Sequence, residues 1–245
     1  MIDTHFRKQQ RLFDRQLVRK SYTLLAWHKT YLDKMNQYLF HGSVRGKTIL
    51  DIGPGEGYVT VEMAKRGARV IACDISREVL KNMRSYKKEF HLSTVKVVHA
   101  NAENLPLSTA SVDYIVANAV LEHLPHETKA ITEWKRVLKH GGRIIVAAPI
   151  SLWYVWPFFW PINILYDRHL GHLRRYSKEL LVAKFGMTLV VHWHTGHLGK
   201  VLGFFVQYAL GIHRYDDVLE GIDAWSHHIP YGASNVVVVL EKQDV

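Results

Sequence analysis

The stretch Ile49-Leu50-Asp51-Ile52-Gly53-Pro54-Gly55-Glu56-Gly57-Tyr58 decides the fold class of this chain. A short apolar run ends in an acid and is followed by glycines at alternate positions, which predicts a buried strand, a tight turn and the start of a helix. Glycine reaches backbone angles closed to other residues and lets a ligand approach the main chain. The helix that follows offers unpaired N–H groups to an anionic group. Such a loop can also serve only as a turn, so the residues after it must decide its role.

A second strand that ends in an acid follows the loop. After a helix over Val59 to Lys65, Ala68 to Asp74 forms another buried apolar run, and Asp74 lies about 20 residues beyond the glycines. At this spacing a doubly wound fold places a carboxylate on the ribose hydroxyls of a nucleotide, because a carboxylate accepts two hydrogen bonds from a vicinal diol. The alternative role for Asp74 is the N-cap of a helix from Ser76 to Lys88, which Ser76 could serve instead. We favour ribose binding.

Strands and helices alternate along the rest of the chain, which is typical of a parallel sheet covered by helices on both faces. Right-handed crossovers bring the carboxyl ends of such strands to one edge, where ligands bind. A helix is predicted over Glu127 to Leu138, ended by Lys139 to Gly142. The remaining predicted strands are Val95 to Ala100, Val112 to Ala117, Arg143 to Pro149, Thr188 to His194 and Ser234 to Lys242.

By its motifs the chain resembles the class I S-adenosylmethionine-dependent methyltransferases over roughly residues 45–150. The motifs are Leu50 to Gly57, Cys73 to Ser76, Asn101 to Pro106, and Val112-Asp113 through Leu121-Glu122-His123-Leu124 to Arg136–Gly142. The Gly-x-Gly-x-Gly spacing separates them from the nicotinamide dehydrogenases. The resemblance implies an α/β fold: a Rossmann-like, doubly wound seven-stranded sheet whose last strand is antiparallel. It also implies S-adenosylmethionine as cofactor and S-adenosylhomocysteine as product.

The resemblance assigns cofactor roles residue by residue. Asp74 would take the ribose diol, Ile75 would pack on the adenine, and Asn101 would stand where the family commonly has Asp. Asn118 would lie near the sulfonium. The full set of implied cofactor-binding residues is Asp51, Gly53, Gly55, Gly57, Tyr58, Asp74, Ile75, Asn101, Ala102, Glu103 and Asn118.

Methyl transfer needs little chemical assistance from side chains, because the positive sulfur already activates the methyl carbon. In-line placement of the acceptor supplies much of the rate. A general base is needed only for a hydroxyl or a carbon acid. His123 and His172 are the candidate catalytic residues, although the histidine of Leu-Glu-His often serves structure in this family. Some related quinone-pathway enzymes hold a metal with an acid four residues before that histidine. Ala119 stands there, and no acid or cysteine completes a cluster of His192, His194 and the nearby His197, so we predict no metal.

Two segments outside the motifs are expected to meet the acceptor. Residues 1–45 form a basic helical arm or lid, and the domain of residues 46–245 carries insertions at 151–180 and 198–233. The aromatic stretch at 152–166 lines an acceptor pocket, docks on a membrane, joins a dimer or packs on its own core. The basic segment that follows clamps an anionic acceptor or forms surface ion pairs. It precedes a predicted helix that has Ser177 as its N-cap and Leu180 on its buried side. The predicted acceptor-binding residues are Trp153, Trp156, Arg174, Arg175 and Tyr176.

The composition limits the expected cellular location and the expected partners of the protein. A single cysteine excludes an internal disulfide, and no apolar run approaches the ~20 residues of a membrane-spanning helix. With no signal-peptide pattern, we expect a cytoplasmic enzyme with a small-molecule or lipid-like acceptor, oxygen being the favoured methyl-accepting atom. The net charge of +10 suggests peripheral contact with an anionic membrane or, less favoured, nucleic acid. An RNA methyltransferase and a non-catalytic S-adenosylmethionine-binding protein remain the alternatives.

Overall fold

A twisted sheet of seven strands forms the centre of the molecule, in the order β3-β2-β1-β4-β5-β7-β6. The structure is a computed structural model and describes residues 2–16, 22–197 and 216–243. β7 pairs antiparallel with both β5 and β6, whereas the other pairings are parallel. The strands are β1 (Thr48–Ile52), β2 (Arg69–Asp74), β3 (Val95–His99), β4 (Val112–Asn118), β5 (Leu138–Pro149), β6 (Thr188–Thr195) and β7 (Asn235–Glu241). The predicted seven-stranded sheet with an antiparallel last strand is confirmed.

Helices cover both faces of the sheet, and the sheet separates two apolar cores. They are α1 (Ile2–Gln16), α2 (Ala26–Lys34), α3 (Tyr58–Lys65), α4 (Arg77–Glu89), α5 (Glu127–Val137), α6 (Trp160–Leu170), α7 (Lys178–Phe185) and α8 (Asp216–Trp225). The central strands β1 and β4 are buried over most of their length, because they meet a helix layer on each face. The side chain of Trp134 in α5 is fully buried and donates from Nε1 to the Ala102 carbonyl at 3.0 Å. This bond ties α5 to the loop after β3.

Three expectations from the sequence need correction. The predicted helical arm of residues 1–45 is interrupted before α2, since residues 22–25 belong to no helix or strand. β5 begins at Leu138, five residues before the predicted start, because the chain passes directly from α5 into the strand. Ser177 does cap α7, but Leu180 is exposed, and Leu181 and Phe185 provide the buried side. Residues 198–215 of the predicted insertion at 198–233 and residues 17–21 of the arm lie outside the described residues.

The insertion after β5 is anchored by its basic residues. Arg175 donates to the Asp167 carboxylate at 2.7 and 3.0 Å and to the Ile150 carbonyl at 3.0 Å. Arg174 donates to the Pro125 carbonyl at 2.9 Å and also to Leu124. Tyr176 is fully buried, with its hydroxyl 2.8 Å from Glu127. These three residues therefore hold the insertion onto the sheet.

No helix within residues 2–16, 22–197 and 216–243 is long and apolar enough to cross a membrane. The aromatic stretch instead folds as two short 3-10 turns, at Leu152–Tyr154 and Pro157–Phe159, followed by α6. Prolines 157 and 161 account for this break, because proline cannot continue a helix from the preceding turn.

Candidate active site

A cavity of about 250 Å³ lies at the carboxyl ends of β1, β2 and β4. This is the edge at which the strand order reverses, with β2 on one side of β1 and β4 on the other. The lining residues are Phe6, Gln9, Phe13, Ile52, Gly53, Gly55, Cys73, Asp74, Ile75, Val79, Ala100, Asn101, Ala102, Asn118, Ala119, Val120, His123 and Leu124. Eight of the residues predicted from the sequence are therefore brought together: Gly53, Gly55, Asp74, Ile75, Asn101, Ala102, Asn118 and His123.

The glycine loop needs glycine for two different reasons. Gly55 has φ +51°, which favours glycine, and a β-carbon there would have only the Gly53 carbonyl oxygen nearby, at 3.9 Å, so its absence leaves the main chain open to a ligand. Gly57 has φ +85°, and a β-carbon there would lie 2.5 Å from Met83 Cε. Gly55 thus fits a cofactor cradle, while Gly57 lies outside the cavity and permits close packing of α4 on the loop.

Asp74 points its carboxylate at the cavity, and the helix cap is elsewhere. The hydroxyl of Ser76 accepts from the Val79 N–H at 3.2 Å, so Ser76 is the N-cap of α4. Asp74 Oδ1 accepts from the Ser76 N–H at 2.7 Å, which fixes its rotamer. Burial raises the pKa of Asp74 to about 6. An ionised Asp74 would gain from the two hydroxyl donors of a ribose diol.

Asn101 presents a different group from the one that we expected. Its Oδ1 accepts from the Glu103 N–H at 2.9 Å, which assigns the oxygen to the backbone side and leaves Nδ2 as a donor. An amide donor suits a ring nitrogen of adenine, whereas the Asp common in the family can only accept. Glu103 itself is buried outside the cavity and accepts from the N–H and the ring of His126 at 2.8 and 2.9 Å.

The end of β4 is held from the N-terminal arm. The hydroxyl of Tyr31 in α2 donates to Asn118 Oδ1, and Asn118 Nδ2 donates to the Tyr58 hydroxyl at 2.8 Å. Tyr58 lies outside the cavity, with His28 stacked on its ring at a centroid distance of 4.2 Å. Ala119, which lines the cavity, has φ +51°. Left-handed backbone is costly for a residue with a β-carbon and is concentrated at functional sites.

Asp51 also lies outside the cavity, beneath the glycine loop. It is buried and accepts from the Thr60 hydroxyl at 2.6 Å. Burial raises the pKa of Asp51 to about 7. Its place fits the loop-orienting role that the resemblance implied, and it has no direct access to a ligand in this structure.

The two candidate catalytic histidines lie side by side. The ring of His123 lines the cavity, and its centroid is 4.9 Å from that of His172. His172 Nδ1 is 2.8 Å from Asp167 Oδ1, so the carboxylate fixes the ring with Nε2 as the acceptor. Burial lowers the pKa of His172, which keeps the ring neutral near pH 7. A neutral, oriented imidazole behind the cavity can accept a proton.

Helix α1 closes the cavity, a contribution that the sequence analysis gave only as a general lid. Phe6, Gln9 and Phe13 follow one another at helical spacing and all line the cavity. Gln9 Nε2 donates to the carbonyl of Gly171 at 3.1 Å, and Asp14 accepts from the Ser76 hydroxyl. Two separate elements, α4 and the end of α6, therefore hold α1 in place. The spacing of these three residues on one helix face was the signal that could have identified them.

The predicted acceptor-binding residues do not reach this cavity. Trp153 is 81% exposed and Trp156 is 50% exposed, both on the outer surface. Arg174, Arg175 and Tyr176 are engaged in the hydrogen bonds described above. Arg174 and Arg175 form the ion pairs that were the alternative to an anionic clamp, with Glu127 and Asp167 as their partners. Their role toward an acceptor stays a prediction.

Two groups of potential metal ligands occur within the described ranges: Glu122, His123 and His172, and Glu220, Asp223 and His227. Within each group the ligand atoms lie within 4.8 Å of one another. The expectation that no acid meets the histidines after β6 is wrong, since His197 Nδ1 lies 2.9 Å from Asp223 Oδ1. Burial raises the pKa of Glu122 to about 8, so this carboxyl is mostly neutral at pH 7. The absence of a metal stays a prediction.

Comparison with known proteins matches this chain to enzymes with the same domain. Residues 50–146 match the family model described as "Methyltransferase domain". The ubiquinone/menaquinone biosynthesis C-methyltransferase UbiE of Cronobacter sakazakii is 31% identical over 149 residues, covering 59% of this chain and 57% of that protein. The biotin biosynthesis bifunctional protein BioHC of Cellvibrio japonicus is 37% identical over 99 residues, covering 40% of this chain and 19% of that protein. The chain thus spans little more than half of UbiE and a smaller part of BioHC.

The fold is shared over almost the entire chain with a solved structure. Geranyl diphosphate C-methyltransferase from Streptomyces coelicolor A3(2), in complex with Mg²⁺, geranyl diphosphate and S-adenosyl-L-homocysteine, aligns with a TM-score of 0.71. The alignment covers 97% of each chain at 15% sequence identity. The seven-stranded sheet is consistent with this shared fold. Residues 50–146 therefore match a methyltransferase domain in sequence, and the chain shares its fold with a solved methyltransferase.

Proposed function

We propose that this protein is an enzyme that transfers the methyl group of S-adenosylmethionine to a small-molecule or lipid-like acceptor. One observation carries the proposal. The cavity that joins the glycine loop to Asp74 and Asn101 also contains the end of β4 and the ring of His123. A nucleotide-type pocket that includes a base at its reacting end is suited to group transfer rather than to binding alone.

The residues of this chain would share the work as follows. Asp74 would accept from the ribose diol, Asn101 would donate to the adenine edge, and Gly55 would allow the cofactor against the main chain. When bound, S-adenosylmethionine supplies a methyl group on a positively charged sulfur. The acceptor atom bonds to that methyl carbon, and the sulfur keeps the electron pair of the broken bond. His123 would receive the proton that the acceptor loses, with His172 and Asp167 behind it.

The apolar lining favours an uncharged or amphipathic acceptor. Phe6, Phe13, Val120 and Leu124 line the cavity around His123. Our preference for an oxygen acceptor stays a proposal, because a base assists a hydroxyl and a carbon acid equally. The names of the UbiE relatives describe C-methylation, so the experiment must offer both kinds of acceptor.

Peripheral contact with an anionic membrane is part of the same proposal. A lipid-like acceptor is concentrated in a bilayer, and a basic protein is attracted to an acidic surface. The net charge of +10 supports this setting over a neutral one. Nucleic acid and a homodimer remain less favoured partners.

The test begins with calorimetry of the full chain against S-adenosylmethionine and S-adenosylhomocysteine. Transfer of a labelled methyl group is then measured into phenolic and isoprenoid lipids, enolisable carbon acids and RNA. His123→Ala should bind cofactor normally and lose transfer. His140→Ala, at the amino end of β5 and far from the cavity, is the matched histidine control. Failure of the cofactor to bind at millimolar concentration would refute the proposal, and binding without transfer to any acceptor would favour a non-catalytic protein.

A further inference from the structure

Helix α8 is amphipathic in the opposite sense from most surface helices. Its apolar residues Val218, Ile222 and Trp225 are 59%, 52% and 76% exposed. Its polar residues Glu220 and Asp223 are 7% and 1% exposed. A helix in a water-soluble domain normally turns its apolar stripe to the core. The outward apolar stripe of α8 therefore calls for a physical reason.

The reason is that the polar side of α8 has partners inside the protein. The Asp223 carboxylate accepts from the His197 N–H and lies near its ring Nδ1, at 2.8 and 2.9 Å, and accepts from the Gly196 N–H at 3.1 Å. His197 Nε2 is also 2.8 Å from the Ile229 carbonyl. These bonds fix the rotation of the helix about its axis. The orientation is set by buried hydrogen bonds, and the apolar stripe remains on the outside as a consequence.

A second exposed apolar surface lies on α6 and the turns that precede it. The side chains of Trp153, Trp156, Phe158, Ile162, Leu165 and Tyr166 are between 50% and 81% exposed. The segment that follows α8 contacts this surface at Tyr231, which is 65% exposed and packs on Tyr154 with a centroid distance of 5.6 Å. The Gly232 N–H donates to the Tyr154 carbonyl at 2.7 Å. We call the combined surface of α6, its preceding turns and α8 the outer apolar face.

Positive charge borders this face. Arg168 and His169 are exposed at the end of α6. Arg7, Lys8 and Arg11 are exposed on α1, which Gln9 ties to Gly171 just beyond α6. The one acid of α6, Asp167, is bound to Arg175 and His172. Exposed Trp, Tyr and Phe next to exposed cations are the composition of a surface that lies in an anionic membrane interface.

We propose that the outer apolar face docks the enzyme on the surface of an anionic lipid bilayer. This docking extends the proposed function and depends on it, because the bilayer would supply the lipid-like acceptor. The location supports it: the turns before α6 follow the carboxyl end of β5, and the segment after α8 leads into β7 at the same edge of the sheet as the cavity. A second copy of the chain is the competing occupant.

Flotation of the full-length protein with vesicles tests the proposal. The protein should float with vesicles that contain phosphatidylglycerol and should stay unbound with pure phosphatidylcholine. Raised salt should weaken the binding, since the attraction to surface charge is screened. Neutralising one exposed cation, as in Arg168→Gln, should weaken partition into anionic vesicles by roughly fivefold.

Charged substitutions of the outer apolar face provide the decisive comparison. Leu165→Glu combined with Trp225→Glu should abolish flotation, while the matched variant Leu180→Glu, at an exposed leucine of α7, should float like the wild type. Both variants should keep the wild-type melting temperature and cofactor affinity, because all three side chains are exposed and outside the cavity. Flotation of the double variant, or no flotation of the wild type at low salt, would overturn the proposal. The proposal would also be overturned if the wild type sedimented as a dimer and the double variant as a monomer.

The outcomes for docking and for catalysis are separable. If the protein floats but transfers no methyl group from bound cofactor, the proposed function fails and the docking surface stands. If the protein methylates a detergent-dispersed acceptor but never floats, the docking surface fails and the function stands.

Discussion

Gln9 in α1 and Gly171 at the end of α6 are joined by a hydrogen bond of 3.1 Å from the side-chain amide to the carbonyl. Gly171 has φ +72°, and a β-carbon there would lie 2.3 Å from Gln9 Nε2. The glycine therefore ends α6 in the left-handed conformation and leaves space for Gln9 of α1 to pack against it. The bond connects the segment that closes the cofactor cavity to the insertion that carries the outer apolar face.

Loosening this contact should speed cofactor exchange. Gln9→Ala removes the donor and shortens a side chain that lines the cavity, so we expect a faster release of S-adenosylhomocysteine in stopped-flow measurements. The control is Gln10→Ala, on the same helix but outside the cavity lining. Equal release rates in the two variants would show that α1 does not gate the site.

Cofactor affinity should depend on pH through Asp74. Burial raises the pKa of Asp74 to about 6, and hydroxyl donors favour the ionised carboxylate. Affinity should therefore increase as pH rises through about 6, with proton release that calorimetry in buffers of different ionisation enthalpy detects. Asp74→Asn should flatten this dependence, and Asp74→Ala should weaken binding by roughly 1–3 kcal/mol. An unchanged affinity in Asp74→Ala would remove Asp74 from the cofactor site.

The buried Glu122 should make the free energy of unfolding decrease as pH rises. Its pKa is raised by burial from 4.5 to about 8, so between these values the folded state keeps a proton that the unfolded state has lost. The free energy of unfolding should then fall through this range relative to Glu122→Gln, and the difference should level off above pH 8. Paired thermal melts from pH 5 to 9 measure it. Parallel curves for the two proteins would contradict the neutral, buried carboxyl.

The histidine pair should act in catalysis rather than in cofactor binding. His172→Ala and His123→Ala should each lower kcat by about 10²–10⁴-fold with cofactor affinity retained, if proton transfer limits the rate. Asp167 is a positioning residue, so Asp167→Asn should lower kcat and shift the pH profile. His169→Ala, an exposed histidine of α6, serves as the control.

The same enzyme assay tests for a metal at Glu122, His123 and His172. We expect activity to be unchanged by a chelator, in line with the absence of an acid at position 119. Loss of activity on chelation, with recovery on adding a divalent cation, would establish a metal site at this group. Loss in His172→Ala but not on chelation would instead support the proton-acceptor role.

The sequence by itself determined the sheet, the carboxyl ends of its strands and the central residues of the cofactor cavity. Gly53, Gly55, Asp74 and Asn101 could be predicted because each depends on a local pattern: a strand that ends, a turn that needs glycine, and a polar group at a fixed spacing. Parallel pairing then brings these ends to one edge whatever the remaining side chains do. The same logic failed for Gly57 and Tyr58, which lie in the right segment but face the packing of α3 and α4.

Only the tertiary structure decided the lid, the pair of histidines and the outer apolar face. Phe6 and Gln9 reach the cavity because α1 packs across elements more than sixty positions away, as the bond from Ser76 to Asp14 shows. Arg175 and Tyr176 serve structure because the fold supplies Asp167 and Glu127 as partners. α8 turns its apolar stripe outward because Asp223 meets His197 from another element. Each outcome is a choice between contacts distant in sequence, which the three-dimensional packing settles and local periodicity does not encode.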